Sequence, residues 1–187
     1  MKIFHTQLQG LIQQLGGCED KLEDAARLIA QSIVADGDVW IYAEDEMIGV
    51  VAQAMHGTDS LPNLSLGEQG SLFDSMDTLL VFSPHKWSKD AMKVVMDAKG
   101  AGTNIIGVSS ESTPQRETDM LSGEKGAWID NCTLHFSTGI KHGLVPTEDG
   151  NRIGAPHLIM GLYIYYGIYL TVMEFLEEYN FDFNTEN

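Results

Sequence analysis

Phe4, Leu8, Leu11, Ile12 and Leu15 fall on one helical face before the Gly16-Gly17 pair, and Leu22, Ala25, Ala26, Ile29 and Ile33 repeat that spacing up to Gly37. Two amphipathic helices therefore precede the first extended segment. Val39 to Ala43 then predicts a strand, Met47 to Met55 a helix, and Leu61 to Leu66 a Pro-interrupted strand near a sheet edge. Asp77 to Ser110 forms the clearest unit of the chain. Thr78 to Phe82 is an apolar strand, a polar loop runs to Ser88, and Ala91, Val94, Val95 and Ala98 recur at helical spacing. Ser88 suits the N-cap, Asp90 the first turn, and Gly100 with Gly102 the end of that helix. Ile105 to Val108 returns as a buried strand, residues 111–126 read as a polar loop with one helical turn, and Leu134 to Ser137 is a fifth strand. This alternation predicts an α/β fold: a three-layer αβα arrangement with a doubly wound, parallel, five-stranded sheet.

Residues 141–154 carry Gly143, Pro146, Gly150 and Gly154 among polar neighbours, as in a long loop lying over a site, with His142 and Arg152 as its notable side chains. Pro156 opens a long apolar C-terminal helix. Leu158 to Met173 contains no charge, yet this run is shorter than the about 20 residues of a membrane span, and its tyrosines and glycines suit protein packing. A helix apolar on nearly every face needs cover all round, from the core or from a second copy of the chain, so a homodimer is expected. The chain reads as a single domain, 1–187, with N-terminal helices over 1–36, a sheet core over 37–140, a loop over 141–154 and the last helix over 155–179.

Composition narrows the classes of function. Of 187 residues, 43% are apolar, sufficient for one core, and 11 Lys and Arg against 27 Asp and Glu give a net charge of −16. That field opposes nucleic acid and anionic membranes, so neither is an expected partner. An anionic ligand must then be held by local N–H groups, hydroxyls and the few nearby cations, of which His85, Lys86 and Lys89 stand in or just after the loop following Phe82. Cys18 and Cys132 lack a CxxC or Cys/His spacing, which predicts reduced thiols, no metal and no cofactor. The N-terminus has no continuous apolar stretch ending in a small-residue cleavage site, and a cytoplasmic location follows as the expectation.

Ligands of parallel sheets bind where strands end and helices begin, and hydroxyls beside free helix N–H groups suit phosphate oxygens. Ser83 and Ser88 are the first candidates on this ground, although Ser88 taken alone reads equally as a cap. Glu44, Asp45 and Glu46 follow the first strand. They either bind a cation or an amino or hydroxyl group of a ligand, or form a solvated helix start; contiguous carboxylates without His specify no particular metal. A phosphoacceptor regulator would need an Asp at the end of the third strand, where this chain has Ser83, with Asp77 at the opposite end. No G-x-G-x-x-G, P-loop, G-x-S-x-G or H-E-x-x-H occurs.

From Ala25 to Leu176 the chain resembles the sugar isomerase, or SIS, domain family of flavodoxin-like phosphosugar-binding proteins. That family places S-x-S-G-x-S/T-x-D/E after a strand and A-K-x-x-G at the end of the following helix. The matching segments are SPHKWSKD and DAKGAG. Ser83, Ser88, Asp90, Ala98, Lys99 and Gly102 agree, His85 replaces the second Ser and Lys86 the Gly. Ser109 matches the hydroxyl residue that ends the next strand, and Ile129-Asp130 is similar to an Ala-Asp pair before the last strand. The first strand departs most: G-x-G-x-S becomes Ala43-Glu44-Asp45-Glu46-Met47. Phosphoheptose isomerases within the family act through Glu and His residues on two helices. Gln53 and Gly57 fall where one group of these is expected and Gly161 where a second His is expected, while His56 and His157 lie in those regions.

The resemblance implies an uncharacterised bacterial branch that binds a phosphosugar or related anion. If active, it is an aldose/ketose isomerase of sugar phosphates, with Glu44, Glu46 and His157 as acid/base candidates and His85 as a further plausible base. Ser83, His85, Lys86, Ser88, Ser109 and Ser110 are the candidate binding residues, on loops 43–47, 83–88 and 109–113. The alternative is a non-catalytic phosphosugar-sensing or protein-interaction module that retains the fold.

Overall fold

A computed structural model describes residues 1–111, 126–179 and 181. Helices α1 (Lys2–Leu15) and α2 (Glu19–Val34) lead into strand β1 (Val39–Ala43), a 3-10 turn (Asp45–Met47) and α3 (Ile48–His56). Then follow β2 (Leu64–Leu66), β3 (Thr78–Ser83), α4 (Lys89–Ala101), β4 (Asn104–Ser109), a 3-10 turn (Trp128–Asn131) and β5 (Leu134–Ser137). Beyond the sheet come β6 (Val145–Pro146), β7 (Arg152–Ile153) and α5 (His157–Glu178). The five main strands form one wholly parallel sheet in the order β2-β1-β3-β4-β5. The order reverses between β1 and β3, which is where an open parallel sheet presents its ligand crevice.

The period-two alternation of side chains divides each strand between two cores. Ile41, Leu80, Phe82, Ile106, Val108 and Phe136 meet α2, α3 and α5 on one face. Leu79, Val81 and Ile105 meet Ala91, Val94, Val95 and Ala98 of α4 on the other, together with Trp128. β3, the central strand, is buried at all six positions, as its unbroken apolar run requires. The 3-10 turn at Trp128 was not legible in the sequence. Its indole seats against Gly107, where an added Cβ would lie only 2.7 Å from the Trp128 ring.

Several boundaries differ from the sequence reading. The strand expected from Leu61 shrinks to Leu64–Leu66, since Leu61 turns into the core instead. Gly100 stays inside α4, and Gly102 alone closes it, at φ 86°, a left-handed value suited to glycine. Pro156 is the cap residue before α5 rather than its first helical position. Within 141–154 the chain forms the antiparallel β6/β7 pair, and Arg152 spends its guanidinium on the carbonyls of Gly143 (2.8 Å) and Leu144 (2.9 Å). The expected helical turn within 111–126 falls almost wholly outside the described residues.

α5 is long and apolar enough to cross a membrane. Yet Met160, Ile164, Tyr165, Ile168, Val172 and Leu176 are buried against the sheet and its helices, as in a core helix. Tyr165 also donates to the Asp59 carbonyl at 2.8 Å. At the opposite end of the sheet from the strand exits, Asp77 is 3% exposed, and its carboxylate accepts from the amides of Asp38 (2.9 Å) and Asp74 (2.8 Å) and from the Trp40 indole (2.8 Å). It thus clips β1 to the start of β3. Asp77→Ala leaves three N–H groups without their acceptor, so we expect a loss of about 3 kcal/mol and a melting temperature lower by roughly 6–12 °C in a thermal denaturation scan.

Candidate functional site

The register of the sheet sets the site. Ala43 pairs with Phe82, Ser83 with Ser109 and Ser109 with Ser137, so β3, β4 and β5 end on one rung and β1 ends one residue before it. Glu44, the first residue beyond β1, donates its amide to the Phe82 carbonyl at 3.1 Å and extends its side chain toward the exit of β3. There the Ser83 hydroxyl donates to Glu44 Oε1, the Ser88 hydroxyl donates to Oε2 at 2.8 Å, and the Tyr42 hydroxyl donates to Oε2 at 3.2 Å. Ser83 and Ser88 are thus brought together at the start of α4, where their hydroxyls hold the protein's own carboxylate. Ser88 also caps α4 by accepting from the Ala91 amide at 3.2 Å, so its two readings, cap and anion ligand, coexist in one hydroxyl.

This corrects the solvated helix start as a reading of Glu44. The side chain is half-buried, and desolvation holds its carboxyl above the usual Glu range against the lowering effect of the Ser83 and Ser88 hydroxyls. Burial and the neighbouring Glu44 charge likewise push the Tyr42 phenol up. Asp45 and Glu46 are exposed, as a solvated start requires. Asp45 adopts φ 51°, in the left-handed region that Asp tolerates better than most residues. It occupies the second glycine position of the G-x-G-x-S pattern, and this backbone accounts for a glycine there. Met47, at the Ser position of that pattern, is fully buried and contributes no hydroxyl.

A second cluster stands beside the first. Buried His157, in the first turn of α5, bonds through Nδ1 to the Ser110 hydroxyl at 2.9 Å, and Ser110 meets the Thr138 hydroxyl at 2.6 Å. Burial holds the His157 imidazole below the usual histidine value; Glu46 and Asp45 oppose this and His85 adds to it. His85 Nε2 lies 3.6 Å from Asp45 Oδ2, and His85 forms a β-bridge to Glu111. His157, His85 and the acidic turn are thus brought to one place from three distant stretches of sequence. Lys86 lies with Nζ 4.4 Å from the centre of the Trp87 ring, and its carbonyl accepts from the Trp128 amide at 3.1 Å.

Ser109 turns to a different partner, His135 Nε2 at 2.8 Å. Thr138, Tyr42 and His135 were missed in the sequence, because each lies on or beside a strand that carries no motif and only the register reveals its neighbours. His56 sits at the far end of α3, away from the strand exits, and His142 bonds to its neighbouring carbonyl at Gly143. Residues 112 and 113, expected on the pocket rim, lie outside the described residues. Cys18 and Cys132 are both free thiols, and burial pushes Cys132 up to about 12. Among the described residues no group of three or more His, Cys, Asp and Glu is placed to hold a metal ion.

A five-stranded 2-1-3-4-5 parallel sheet with a hydroxyl-bearing loop at the β3 to α4 junction is the architecture of the SIS domain, and comparison of structures agrees. A Methanococcus jannaschii hypothetical protein, whose structure infers a molecular function of 3-hexulose-6-phosphate isomerase, superposes with a TM-score of 0.60 at 13% identity, over 96% of this chain and 90% of that one. A candidate phosphosugar isomerase involved in capsule formation from Bacteroides fragilis gives a TM-score of 0.59 at 14% identity, over 95% and 92%. At these identities the likeness establishes the fold. The chain belongs to the family DUF2529, a domain of unknown function, which it matches over residues 1–176. Within the curated proteins it is similar to the uncharacterized protein YwjG of Bacillus subtilis (strain 168), 29% identical over 181 residues and covering 96% of this chain and 99% of that one.

Burial, with help from Lys21 and Lys86, lowers His135 to about 4. A histidine bound in its neutral form contributes stability that is complete above its ordinary value of about 6.5 and is lost as the pH falls toward 4. Replacing His135 with Asn, whose amide can still reach Ser109, removes that dependence. Melting temperatures at pH 7.5 and pH 5 should therefore differ less in the variant than in the parent protein; an equal difference would show that His135 does not govern the acid loss.

Proposed function

We propose that this protein binds a phosphosugar, or a related sugar-derived anion, at the crevice between the exits of β1 and β3. The observation that carries this reading is the occupancy of the cradle: the Ser83 and Ser88 hydroxyls, gathered at the N-terminus of α4, already hold a pair of carboxylate oxygens. Donors arranged for one oxyanion suit another, and the dipole of α4 favours negative charge at that point. The fold shared with the Methanococcus jannaschii protein and the Bacteroides fragilis protein supports the same class of ligand. His85 and Lys86 put basic groups in the same loop in a chain of net charge −16, and Ser109 and Ser110, buried and bonded to His135, Thr138 and His157, continue the row of hydroxyls at the strand ends. We place the protein in the cytoplasm, as a homodimer in which the outward face of α5, with Ile159, Tyr163 and Leu170 exposed, is covered by a second copy.

If the protein catalyses a reaction, aldose/ketose isomerisation of the bound sugar phosphate is the chemistry its groups allow. Exposed Glu46 is the carboxylate left to move a proton between neighbouring carbons, and His157 sits neutral beside it. A specific observation favours the non-catalytic alternative. Glu44 is engaged by three hydroxyls and His157 Nδ1 by a fourth, so two of the three acid/base candidates are committed within the protein.

The test is a thermal-shift panel of pentose, hexose and heptose phosphates. A ligand at about a hundred times its Kd stabilises by about 2.7 kcal/mol, which raises the melting temperature of a chain of this size by roughly 5–10 °C. Ser88→Asp places a second carboxylate in the cradle and should abolish the shift. For any ligand that binds, deuterium entering the sugar from heavy water supports the isomerase, and its absence supports the sensing module. No shift across the panel would overturn phosphosugar binding.

A further inference from the structure

We propose that Glu44 is an intramolecular competitor: a tethered carboxylate that occupies the anion position of the cradle and must leave it when a ligand's anionic group enters. This inference rests on the phosphosugar reading above and adds to it the element that sets the site's affinity.

The geometry separates Glu44 from an ordinary structural carboxylate. Compare Asp77, whose three donors are two backbone amides and an indole at the base of the sheet, where they tie β1 to β3. The donors to Glu44 are three side-chain hydroxyls, from Tyr42, Ser83 and Ser88. Hydroxyls rotate and can accept as well as donate, so they keep partners when the carboxylate departs. Ser83 already accepts from the His85 amide at 3.0 Å and can donate to the His85 carbonyl at 3.0 Å, and Ser88 already accepts from Ala91. Removing the Glu44 side chain therefore leaves a relaxed, donor-rich cradle rather than a broken one.

The backbone permits such a departure. The Glu44 amide is fixed on the Phe82 carbonyl, and Met47 anchors the following turn in the core at 0% exposure. The carboxylate can therefore swing about its own χ angles while the turn stays in place. Its retention is weak for a charge, since the three hydroxyls that hold it are neutral and the charge of Asp45 repels it. Among the described residues no ion pair holds Glu44, and a half-buried carboxylate held by neutral donors exchanges readily for an anion that brings additional contacts, such as the hydroxyls of a sugar. Binding of a free anion is then reduced by the fraction of molecules in which the cradle is closed by Glu44.

The experiment measures inorganic phosphate and fructose 6-phosphate binding by isothermal calorimetry with the full chain, its Glu44→Gln and Glu44→Ala variants, and the Glu44→Ala/Ser88→Asp double variant. Loss of the tethered anion should tighten binding about ten- to a hundredfold in both single variants, and the double variant should lose it. Equal or weaker binding in the single variants would overturn the competitor while leaving phosphosugar binding in place. Absence of binding in every protein would overturn both. Should the variants fail to fold, crystals of the parent protein soaked in phosphate decide the matter: phosphate on Ser83 and Ser88 with Glu44 turned away supports the competitor, and Glu44 still seated on both hydroxyls overturns it.

Discussion

The parallel register of the sheet is the constraint from which the site follows. Because β1, β3, β4 and β5 run the same way and end within one residue of a common level, residues separated by up to about a hundred positions in sequence gather at a single rim. Ser83, Ser109 and Ser137 share one rung, Glu44 lies one step beyond β1, and Ser110 and Thr138 lie one step beyond β4 and β5. Slippage of one residue in any strand would turn its inward side chains outward and scatter these hydroxyls. Asp77 holds the register at the base, and the two apolar cores hold it from either face.

Electrostatics shapes what that rim can do. In a chain carrying 16 excess negative charges, the Ser83 and Ser88 hydroxyls hold Glu44 at the start of α4, in a loop that also carries His85 and Lys86. Neutral donors bind an oxyanion less firmly than a guanidinium would, and they also release it more readily. The same economy governs His157, which burial keeps uncharged while Ser110 fixes its ring. Its neighbours Asp45, Glu46 and His85 come from two other loops; the two carboxylates favour the charged imidazole and His85 opposes it.

Much of the fold was legible because each signal was local. Apolar runs in Val39–Ala43 and Leu134–Ser137 gave strands to the residue, and Ser88 with Gly102 marked the two ends of α4. Ser83 and Ser88 were legible as a pair for the same reason, since strand, loop and cap are contiguous. The partnership of Glu44 with them was not, since it joins residues 39 and 44 positions apart across the sheet. Trp128 was missed because its short turn has no periodicity, and its role depends on a glycine 21 positions earlier in the chain that leaves room for the ring. Leu61 was misplaced because an isolated buried leucine before a proline looks like the start of a strand.

The left-handed backbone at Asp45 bears on which residues this turn can carry. A turn that requires positive φ admits Gly, Asn or Asp at little strain and penalises β-branched residues. Aspartate at this position therefore keeps the path of the chain that glycine would take while adding negative charge beside the strand exits. Shape and charge at this turn can drift independently, so a lineage can retune what the crevice accepts without remaking the scaffold beneath it.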